Sequence, residues 1–179
     1  KASPYCPGRL HSKALAPYCA EGATAMIADA PRDDGRPSLA ELRHTAAHVL
    51  AYAVQDLFPD AKPTIGPAIE NGFYYDFDRP TPFTPEDLEK IEKKMWELQA
   101  KSLTYERQLM PKQQGLEKYR KMDEPMKVEL IEEKAGDVFS EYTLGPKFID
   151  FCVGPHVPDT SKLKAFKLLS IAGAYWKGD

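Results

Sequence analysis

The chain has 179 residues, of which 42% are hydrophobic and 28% charged, and its formal net charge is −3. Such a length fits one ordinary domain with a short additional segment, and the hydrophobic content supports a packed core. No apolar run approaches the roughly 18 residues that a membrane-spanning helix requires, so the sequence predicts no contact with a membrane. The slightly acidic balance excludes a protein that coats nucleic acid, and any contact with RNA must be local.

The cysteine count indicates the redox compartment. Cys6, Cys19 and Cys152 cannot form a disulfide framework, and their odd number fits a reducing environment. We therefore expect free thiols in a cytoplasmic protein.

Residues 1–37 differ in composition from the rest of the chain. They contain five prolines, show no sustained hydrophobic periodicity and include the loop-like Asp33-Asp34-Gly35. The sequence therefore predicts an irregular leader, or the remnant of a preceding domain, over 1–37. The ordered domain is expected to span 38–179.

An amphipathic helix is predicted from Ser38 onward. Ser38 and Glu41 form the S-x-x-E pattern of a capping box, in which each side chain satisfies a free backbone N–H of the other residue. Apolar residues then recur at steps of three and four up to Leu57, which is the periodicity of a helix with one buried face. Pro59 ends the pattern, because proline cannot continue a helix.

The remaining elements are shorter. Asn71-Gly72 separates two extended segments, 63–70 and 73–78, and this dipeptide is a strong hairpin signal. Thr84 and Pro85 mark the start of a second amphipathic helix. Further elements are predicted as a strand at 104–110, helices near 112–121 and 125–133, and strands near 138–143, 147–152 and 163–176. Because helices and strands do not alternate regularly, we expect an α+β fold in which an antiparallel sheet packs with helices.

Two of the four histidines, His44 and His48, lie four residues apart within the first predicted helix. This spacing places them one turn apart on one face, roughly 160–200° away from the apolar stripe. Their neighbours Ala47 and Ala51 are small, which would let another element or a ligand approach closely. An isolated pair of this kind is also compatible with two solvent-exposed histidines, and the zinc-protease motif is absent because Thr45 replaces its glutamate.

A second group of reactive side chains lies in the segment from Asp150 to His156. A glycine and a proline within it exclude a helix, so Cys152 and His156 are expected where a strand gives way to a turn. A lone cysteine is most often a buried small hydrophobe. Together with His44 and His48, however, these residues would supply four zinc-type ligands. Ligand identity alone leaves a metal site and a metal-free catalytic cluster both open.

The order of these motifs resembles that of the editing domain of threonyl-tRNA synthetases, over residues 38–179. The resemblance is carried by His44-x3-His48, Ile65-Gly66-Pro67, Asn71-Gly72-Phe73-Tyr74-Tyr75-Asp76, Asp150-x-Cys152-x-Gly154-Pro155-His156 and the run from Gly173 to Asp179. Alanyl-tRNA synthetases share the H-x3-H and C-x3-H plan, whereas the Cys-Val-Gly-Pro-His and Gly-Phe-Tyr-Tyr-Asp segments look like the threonyl branch. In that family the segment that resembles Gly173 to Asp179 leads into the aminoacylation core, which is expected to lie outside this chain.

The resemblance implies a function in translation fidelity, namely hydrolysis of the ester of serine mischarged onto threonine tRNA. It places the editing site on His44, His48, Tyr75, Lys127, Asp150, Cys152 and His156. His44, Lys127, Cys152 and His156 are expected in catalytic positions, and His48, Tyr75 and Asp150 in substrate-binding positions. We expect editing to require no cofactor. If zinc is bound, its expected ligands are His44, His48, Cys152 and His156.

Within this site, Lys127 and His44 are expected to hold the attacking water and polarise the ester carbonyl. Asp150 is expected to pair with the serine ammonium, since one carboxylate suits that cation. From the residues alone, Lys127 is equally consistent with a surface lysine on a short helix.

The other members of the set are expected to shape the pocket. Cys152 and His48 would wall it and exclude the extra methyl of threonine, while His156 and Tyr75 would orient the terminal adenosine or its neighbours. Tyr75 is also consistent with a core aromatic, because it alternates onto the same strand face as its aromatic neighbours. Two further alternatives stay open, a structural zinc module and a catalytically silent tRNA-recognition module.

A local excess of positive charge follows the second group of reactive residues. Lys162, Lys164 and Lys167 lie in a stretch without acidic residues, so they are candidate contacts for acceptor-stem phosphates. The expected partners are the acceptor end of threonine tRNA and the remaining synthetase domains.

Overall fold

The described part of the chain has an α+β fold, as predicted. A computed structural model describes residues 5–12 and 36–175, with side chains over 36–173. Its helices are α1 (Leu39–Leu57), α2 (Pro85–Ala100), α3 (Lys112–Lys121) and α4 (Pro125–Lys134), with a 3-10 helix at Thr160–Lys162. Its strands are β1 (Tyr5–Ser12), β2 (Lys62–Pro63), β3 (Ala68–Ile69), β4 (Gly72–Asp78), β5 (Tyr105–Pro111), β6 (Val138–Leu144), β7 (Phe148–Phe151) and β8 (Ser170–Tyr175).

The strands form two antiparallel sheets. In the first sheet the order is β2-β4-β1-β8, and β3 also pairs with β4. In the second sheet β6 lies between β5 and β7, and Tyr142 of β6 is opposite Asp150 of β7. The predicted hairpin is confirmed, since β3 pairs with β4. Its turn lies one residue earlier than predicted, at Glu70-Asn71, because Gly72 already pairs with Ile69.

Strand β1 lies within the segment that the sequence predicts to be irregular. Its backbone pairs with both β4 and β8, so the prediction is wrong for Tyr5–Ser12. In the sequence, Pro7 argues against a strand, because proline is tolerated only at a sheet edge or at a bulge. The β1–β8 register shifts between Cys6 and Arg9, which places Pro7 at such an irregularity. Residues 1–4 and 13–35 lie outside the described residues, and the domain boundary at residue 38 stays a prediction.

Helix α1 is the central element of the core. The predicted capping box is present, because the Ser38 hydroxyl accepts the Glu41 N–H at 3.1 Å and the Glu41 carboxylate accepts the Ser38 N–H at 2.7 Å. Every residue from Thr45 to Val54 is buried. Helix α2 and the first sheet pack against α1, and Leu144 and Phe148 of the second sheet join the same core.

A second, smaller core lies between the second sheet and the pair of helices α3 and α4. It consists of Met110, Leu116, Tyr119, Ile131 and Phe139. Helix α4 has Pro125 in its first turn, where the missing N–H of proline costs no hydrogen bond. The face of α4 that packs inward carries Lys127 as well as Leu130 and Ile131, so this packing places a lysine in the interior.

The last predicted strand is shorter than expected, because β8 covers only Ser170–Tyr175. The 3-10 helix begins after Asp159, whose carboxylate accepts the Ser161 N–H at 2.9 Å. The side chains of Leu163 and Leu168 then hold the following segment in the core, so this segment is fixed by packing and not by pairing with a neighbouring strand. Within the described ranges, no helix combines the length and the apolar character needed to cross a membrane.

Candidate active site

A cavity of about 570 Å³ lies between α1, α4, the loop 64–68 and the end of β7. Its size is typical of a site for a small molecule. It is lined by six of the seven residues that the resemblance implies, namely His44, His48, Tyr75, Lys127, Asp150 and Cys152. His156 contacts Cys152 directly, so the fold brings all seven residues together.

Four of these residues form a compact group, which we call the His/Cys cluster: His44, His48, Cys152 and His156. Cys152 Sγ lies 3.3 Å from His44 Nε2 and 3.3 Å from His156 Nε2. The ring centroids of His48 and His156 are 4.2 Å apart. One ligand atom of each residue lies within 4.8 Å of all the others. Side chains 108 positions apart in the sequence therefore meet at one point.

The turn after β7 places Cys152 within this cluster. Gly154 has a φ of +74°, a left-handed conformation that glycine adopts without strain. A Cβ at this position would also lie 2.4 Å from the hydroxyl oxygen of Tyr142, so a larger residue would be strained and would displace the Tyr142 side chain. The Gly154 N–H donates a hydrogen bond to Cys152 Sγ at 3.2 Å, so the turn itself orients the sulfur.

A second group, the Asp150 network, consists of Asp150, Lys127, Tyr75 and His48. Asp150 accepts hydrogen bonds from Tyr75 Oη at 2.5 Å and from the ammonium of Lys127. Lys127 Nζ also lies 3.1 Å from Tyr75 Oη, and His48 Nε2 lies 3.4 Å from Asp150 Oδ2. These side chains come from β7, α4, β4 and α1, so the network connects both sheets to two helices.

Burial sets the protonation states of the His/Cys cluster. It lowers the pKa of His156 to about 2, holds the pKa of His48 well below its usual range, and also lowers the pKa of His44. Burial raises the pKa of the Cys152 thiol to about 12, and the nearby Asp150 carboxylate acts in the same direction. Near neutral pH the imidazoles are therefore neutral and the thiol is protonated.

The structure decides between several interpretations that the sequence leaves open. The interpretation of the pair as solvent-exposed histidines is wrong for His48, which is 2% exposed. His44 is half-buried. The interpretation as a surface lysine is wrong for Lys127, because its side chain is also 2% exposed and pairs with Asp150. The interpretation as a core aromatic holds for Tyr75, because its ring packs in the main core. Its hydroxyl donates to Asp150, and its role in binding substrate stays a prediction.

The three candidate RNA-contact lysines lie apart from the cavity. Lys162, Lys164 and Lys167 are exposed, and none of them lines it. Lys167 Nζ pairs with the carboxylate of Glu92 at 2.7 Å, which partly neutralises its charge. Their contact with RNA stays a prediction.

Sequence reasoning missed residues that support the site. Thr45 Oγ1 lies 3.4 Å from His156 Nδ1, and the ring of Tyr105 stacks on His156 with 4.5 Å between centroids. Gly66 is required for close packing, because a Cβ there would lie 2.0 Å from the Tyr75 ring. Two of these residues could have been found from the sequence. Thr45 lies between the two motif histidines, and Gly66 belongs to one of the motifs that carry the resemblance.

Comparison with known proteins shows which family the chain resembles. Residues 140–179 match the family model described as Threonyl and Alanyl tRNA synthetase second additional domain. The chain is 56% identical over 142 residues to a threonine--tRNA ligase of Pelobacter propionicus, and 55% identical over 139 residues to one of Janthinobacterium. It is 52% identical over 148 residues to one of Clostridium tetani. Over residues 140–179 the chain is similar to threonyl and alanyl tRNA synthetase second additional domains, and over most of its length it is similar to threonine--tRNA ligases.

These similarities confirm the resemblance deduced from the motifs, and the relatives are threonine--tRNA ligases. The matches cover 79%, 77% and 82% of this chain. They cover 22% of each of these three relatives, so the chain spans about a fifth of their length.

We expect Asp150 and Lys127 to stabilise the fold only as a pair. Lys127→Met leaves a buried carboxylate without its cation, and Asp150→Asn leaves a buried ammonium without its anion. Each change should lower the free energy of unfolding by about 3–5 kcal/mol, and the double variant should recover a large part of that loss. Urea unfolding measures the effect, with exposed Lys164→Met as the matched control. Losses below about 1 kcal/mol in both single variants would contradict a mutually dependent pair.

Glu124 should make the stability depend on pH. It is 8% exposed at the start of α4, and burial raises its pKa from 4.5 to about 7, although Lys127 acts in the opposite direction. The folded state therefore binds the Glu124 proton more tightly than the unfolded state. This contribution to stability is complete below about pH 4.5 and is lost as the pH rises through about 7.

Replacing the carboxyl by an amide removes this dependence. Glu124→Gln should be more stable than the wild type at pH 8, by roughly 2–3 kcal/mol, and should match it near pH 4. Exposed Glu106→Gln is the control and should follow the wild type at both pH values. Equal stability of Glu124→Gln and wild type at pH 8 would show that the Glu124 carboxylate is not penalised by burial.

Proposed function

We propose that this domain hydrolyses the ester that joins serine to the terminal ribose of mischarged threonine tRNA. The observation that carries the proposal is the convergence of a paired carboxylate, a buried ammonium and neutral imidazoles on one cavity. Hydrolysis of an ester requires a positioned water and donors for the oxyanion of the tetrahedral intermediate. Similarity to threonine--tRNA ligases supports the substrate class.

The chemistry of threonine selection explains the need for such a reaction. A pocket built for threonine cannot fully reject serine, because one methyl group is worth only about 1–3 kcal/mol of binding. A second site that admits the smaller side chain and hydrolyses its ester corrects the error.

Asp150 is proposed to bind the ammonium of serine. A carboxylate has about four positions at which it accepts hydrogen bonds. Lys127, Tyr75 and His48 approach Asp150 at three of them. The remaining position can accept a hydrogen bond from the serine ammonium. Asp150 lines the cavity, and the ammonium would approach from there.

Lys127 is proposed to stabilise the oxyanion, and His44 to hold the water. An ammonium has three N–H donors, of which Asp150 and Tyr75 accept two. The third can donate to the ester carbonyl, where negative charge develops. His44 is the half-buried member of the cluster that lines the cavity, and its neutral imidazole can hydrogen-bond the water.

The reaction is complete without a covalent bond between the substrate and the enzyme. The water oxygen attacks the ester carbonyl carbon, and the oxyanion forms opposite Lys127. Collapse of this intermediate breaks the bond between the carbonyl carbon and the ribose oxygen. The ribose oxygen takes up the proton that the water loses, which leaves free serine and uncharged threonine tRNA.

Cys152 and His48 are proposed to supply the selectivity. Both line the cavity and are buried, at 7% and 2% exposure, so they cannot move aside freely. A wall of this kind admits the hydroxymethyl group of serine and clashes with the methyl of threonine, at a cost of about 1–3 kcal/mol or more. His156 and Tyr75 are proposed to support the bound adenosine end from behind this wall.

The proposed partners follow from the substrate. The acceptor end of threonine tRNA would enter the cavity, and Lys162, Lys164 and Lys167 remain the proposed phosphate contacts outside it. The other domains of a threonine--tRNA ligase would provide most of the tRNA affinity, since three lysines contribute only a modest, salt-sensitive part. We place the activity in the cytoplasm, where protein synthesis supplies the mischarged tRNA.

Zinc binding is a second candidate function, favoured by the arrangement of the His/Cys cluster. In the part of the chain that the structure describes, His48 Nδ1 is buried without a hydrogen-bond partner, and the His/Cys cluster holds four zinc-type donors close together. The Asp150–His48 contact matches the carboxylate–histidine pairs that orient metal ligands. These residues fit zinc, which would lower the pKa of a bound water if one coordination position stayed open.

Deacylation of charged tRNA tests the proposed function. We expect the purified domain to release serine from seryl-charged threonine tRNA much faster than threonine from the threonyl-charged form. His44→Asn and Lys127→Met should each reduce serine release by about 100-fold or more. Cys152→Ala should mainly increase threonine release, because it shortens the wall. Lys164→Met is the control and should behave like the wild type.

Two results would overturn this assignment. Equal release of serine and threonine by the wild type would remove the basis for an editing role. Stoichiometric zinc in the purified protein, together with loss of serine release on chelation and its return on adding zinc, would favour the zinc-dependent alternative.

A further inference from the structure

We infer that Lys134 binds the phosphate that precedes the terminal adenosine of the tRNA, at the mouth of the cavity. The inference rests on the proposed function, because it names a further contact with the same substrate. It extends recognition from the aminoacyl ester to the backbone of the RNA, and it assigns a role to a lysine that lies outside the sequence motifs.

Helix α4 runs along the cavity from its interior to its mouth. Lys127, Leu130 and Lys134 all line the cavity, and their spacing of three and four residues places them on one face of the helix. Lys127 and Leu130 are buried, at 2% and 6% exposure, whereas Lys134 is exposed. Since seven residues of helix span about 10 Å, Lys134 lies at the solvent end of the wall that begins with Lys127.

Lys134 brings a positive charge to a mouth that is otherwise apolar. Among the described residues that line the cavity, the exposed ones are Lys134, Val153 and Pro155. Deeper in the cavity, the formal charges of Lys127 and Asp150 cancel in a direct pair. Two lysines and one aspartate thus leave the described lining with one net positive charge, and this charge lies at the entrance. Such an arrangement attracts an anionic ligand.

The Lys134 ammonium does not have the usual role of a lysine at a helix end. A lysine in the last turn often satisfies the terminal carbonyl groups, but at the end of α4 Lys112 does so. Its Nζ donates to the carbonyl oxygens of Glu132 and Ala135, both at 2.9 Å. Among the residues with described side chains, Lys134 forms no ion pair, and nearby Glu132 pairs with Arg120. The ammonium of Lys134 is therefore available to a ligand.

The position of Lys134 matches the chemistry of the proposed substrate. In a charged tRNA the ester is on the 2′ or 3′ oxygen of the terminal ribose, whereas the phosphate is on the 5′ carbon of the same sugar. With the ester carbonyl next to Lys127, the 5′ phosphate must point toward the entrance, because the rest of the RNA extends from it. One ribose separates the two groups, so the flexible side chain of Lys134, two helical turns from Lys127, can reach the phosphate.

Matched ligands with and without the phosphate test this contact. The ligands are 3′-deoxy-3′-(serylamino)adenosine and its 5′-monophosphate, titrated by calorimetry into the 179-residue chain. We expect the phosphate to raise the affinity of the wild type about tenfold at low salt, because a lysine and a phosphate form a charge-assisted hydrogen bond. This gain should shrink as the salt concentration rises.

Variants of Lys134 assign the gain to its ammonium. Lys134→Met should lose the gain from the phosphate but bind the unphosphorylated analogue like the wild type, because the contacts with the seryl group are intact. Lys134→Arg keeps the charge and should keep the gain. Lys93→Met removes an exposed lysine of α2 outside the cavity lining and should behave like the wild type. A phosphate that adds nothing in the wild type, or as much in Lys134→Met as in the wild type, overturns the inference.

Adenosine and adenosine 5′-monophosphate separate this inference from the proposed function. If the seryl analogues bind no better than these two ligands, the proposed recognition of serine fails. The phosphate contact stands in that case if Lys134→Met abolishes a preference of the wild type for the monophosphate over adenosine. A wild type that binds neither phosphorylated ligand overturns the inference.

Discussion

The buried carboxylate of Asp150 is the constraint on which the cavity depends. Removing a carboxylate from water costs several kcal/mol unless a counter-charge and hydrogen bonds replace its hydration. Lys127, Tyr75 and His48 supply these from three other elements. A displacement of α4 away from the second sheet would leave a buried charge unpaired, and a displacement of α1 would remove the contact with His48, so the carboxylate constrains the positions of the cavity walls.

The site separates its charges from its neutral groups. The Asp150–Lys127 pair carries a formal negative and a formal positive charge, each almost fully buried. The His/Cys cluster beside it is neutral near pH 7, because burial lowers the pKa values of its histidines and raises that of Cys152. A charged pair suits the ammonium and the oxyanion of an aminoacyl ester, whereas neutral groups can position water and exclude a methyl group.

Local signals in the sequence predicted most of the elements, and non-local contacts account for what it missed. The capping box at Ser38 and the Asn-Gly hairpin are set by neighbouring residues, so both were predictable. Strand β1 was not, because Pro7 argues against a paired strand unless the register is interrupted beside it, and that irregularity lies in the pairing with the distant strand β8. The inward position of Lys127 and the contact of Thr45 with His156 depend on partners 23 and 111 positions away. The resemblance named the first of these residues, but periodicity could identify neither.

The proposed recognition of a seryl ester by the Asp150 network can be tested directly by calorimetry with a non-hydrolysable analogue, 3′-deoxy-3′-(serylamino)adenosine. We predict that the domain binds it at least about tenfold more tightly than adenosine and than the threonyl analogue. Asp150→Asn should remove the advantage over adenosine, because the ammonium would lose its carboxylate. Equal affinity of the wild type for the seryl analogue and for adenosine would contradict the proposed recognition of serine in this cavity.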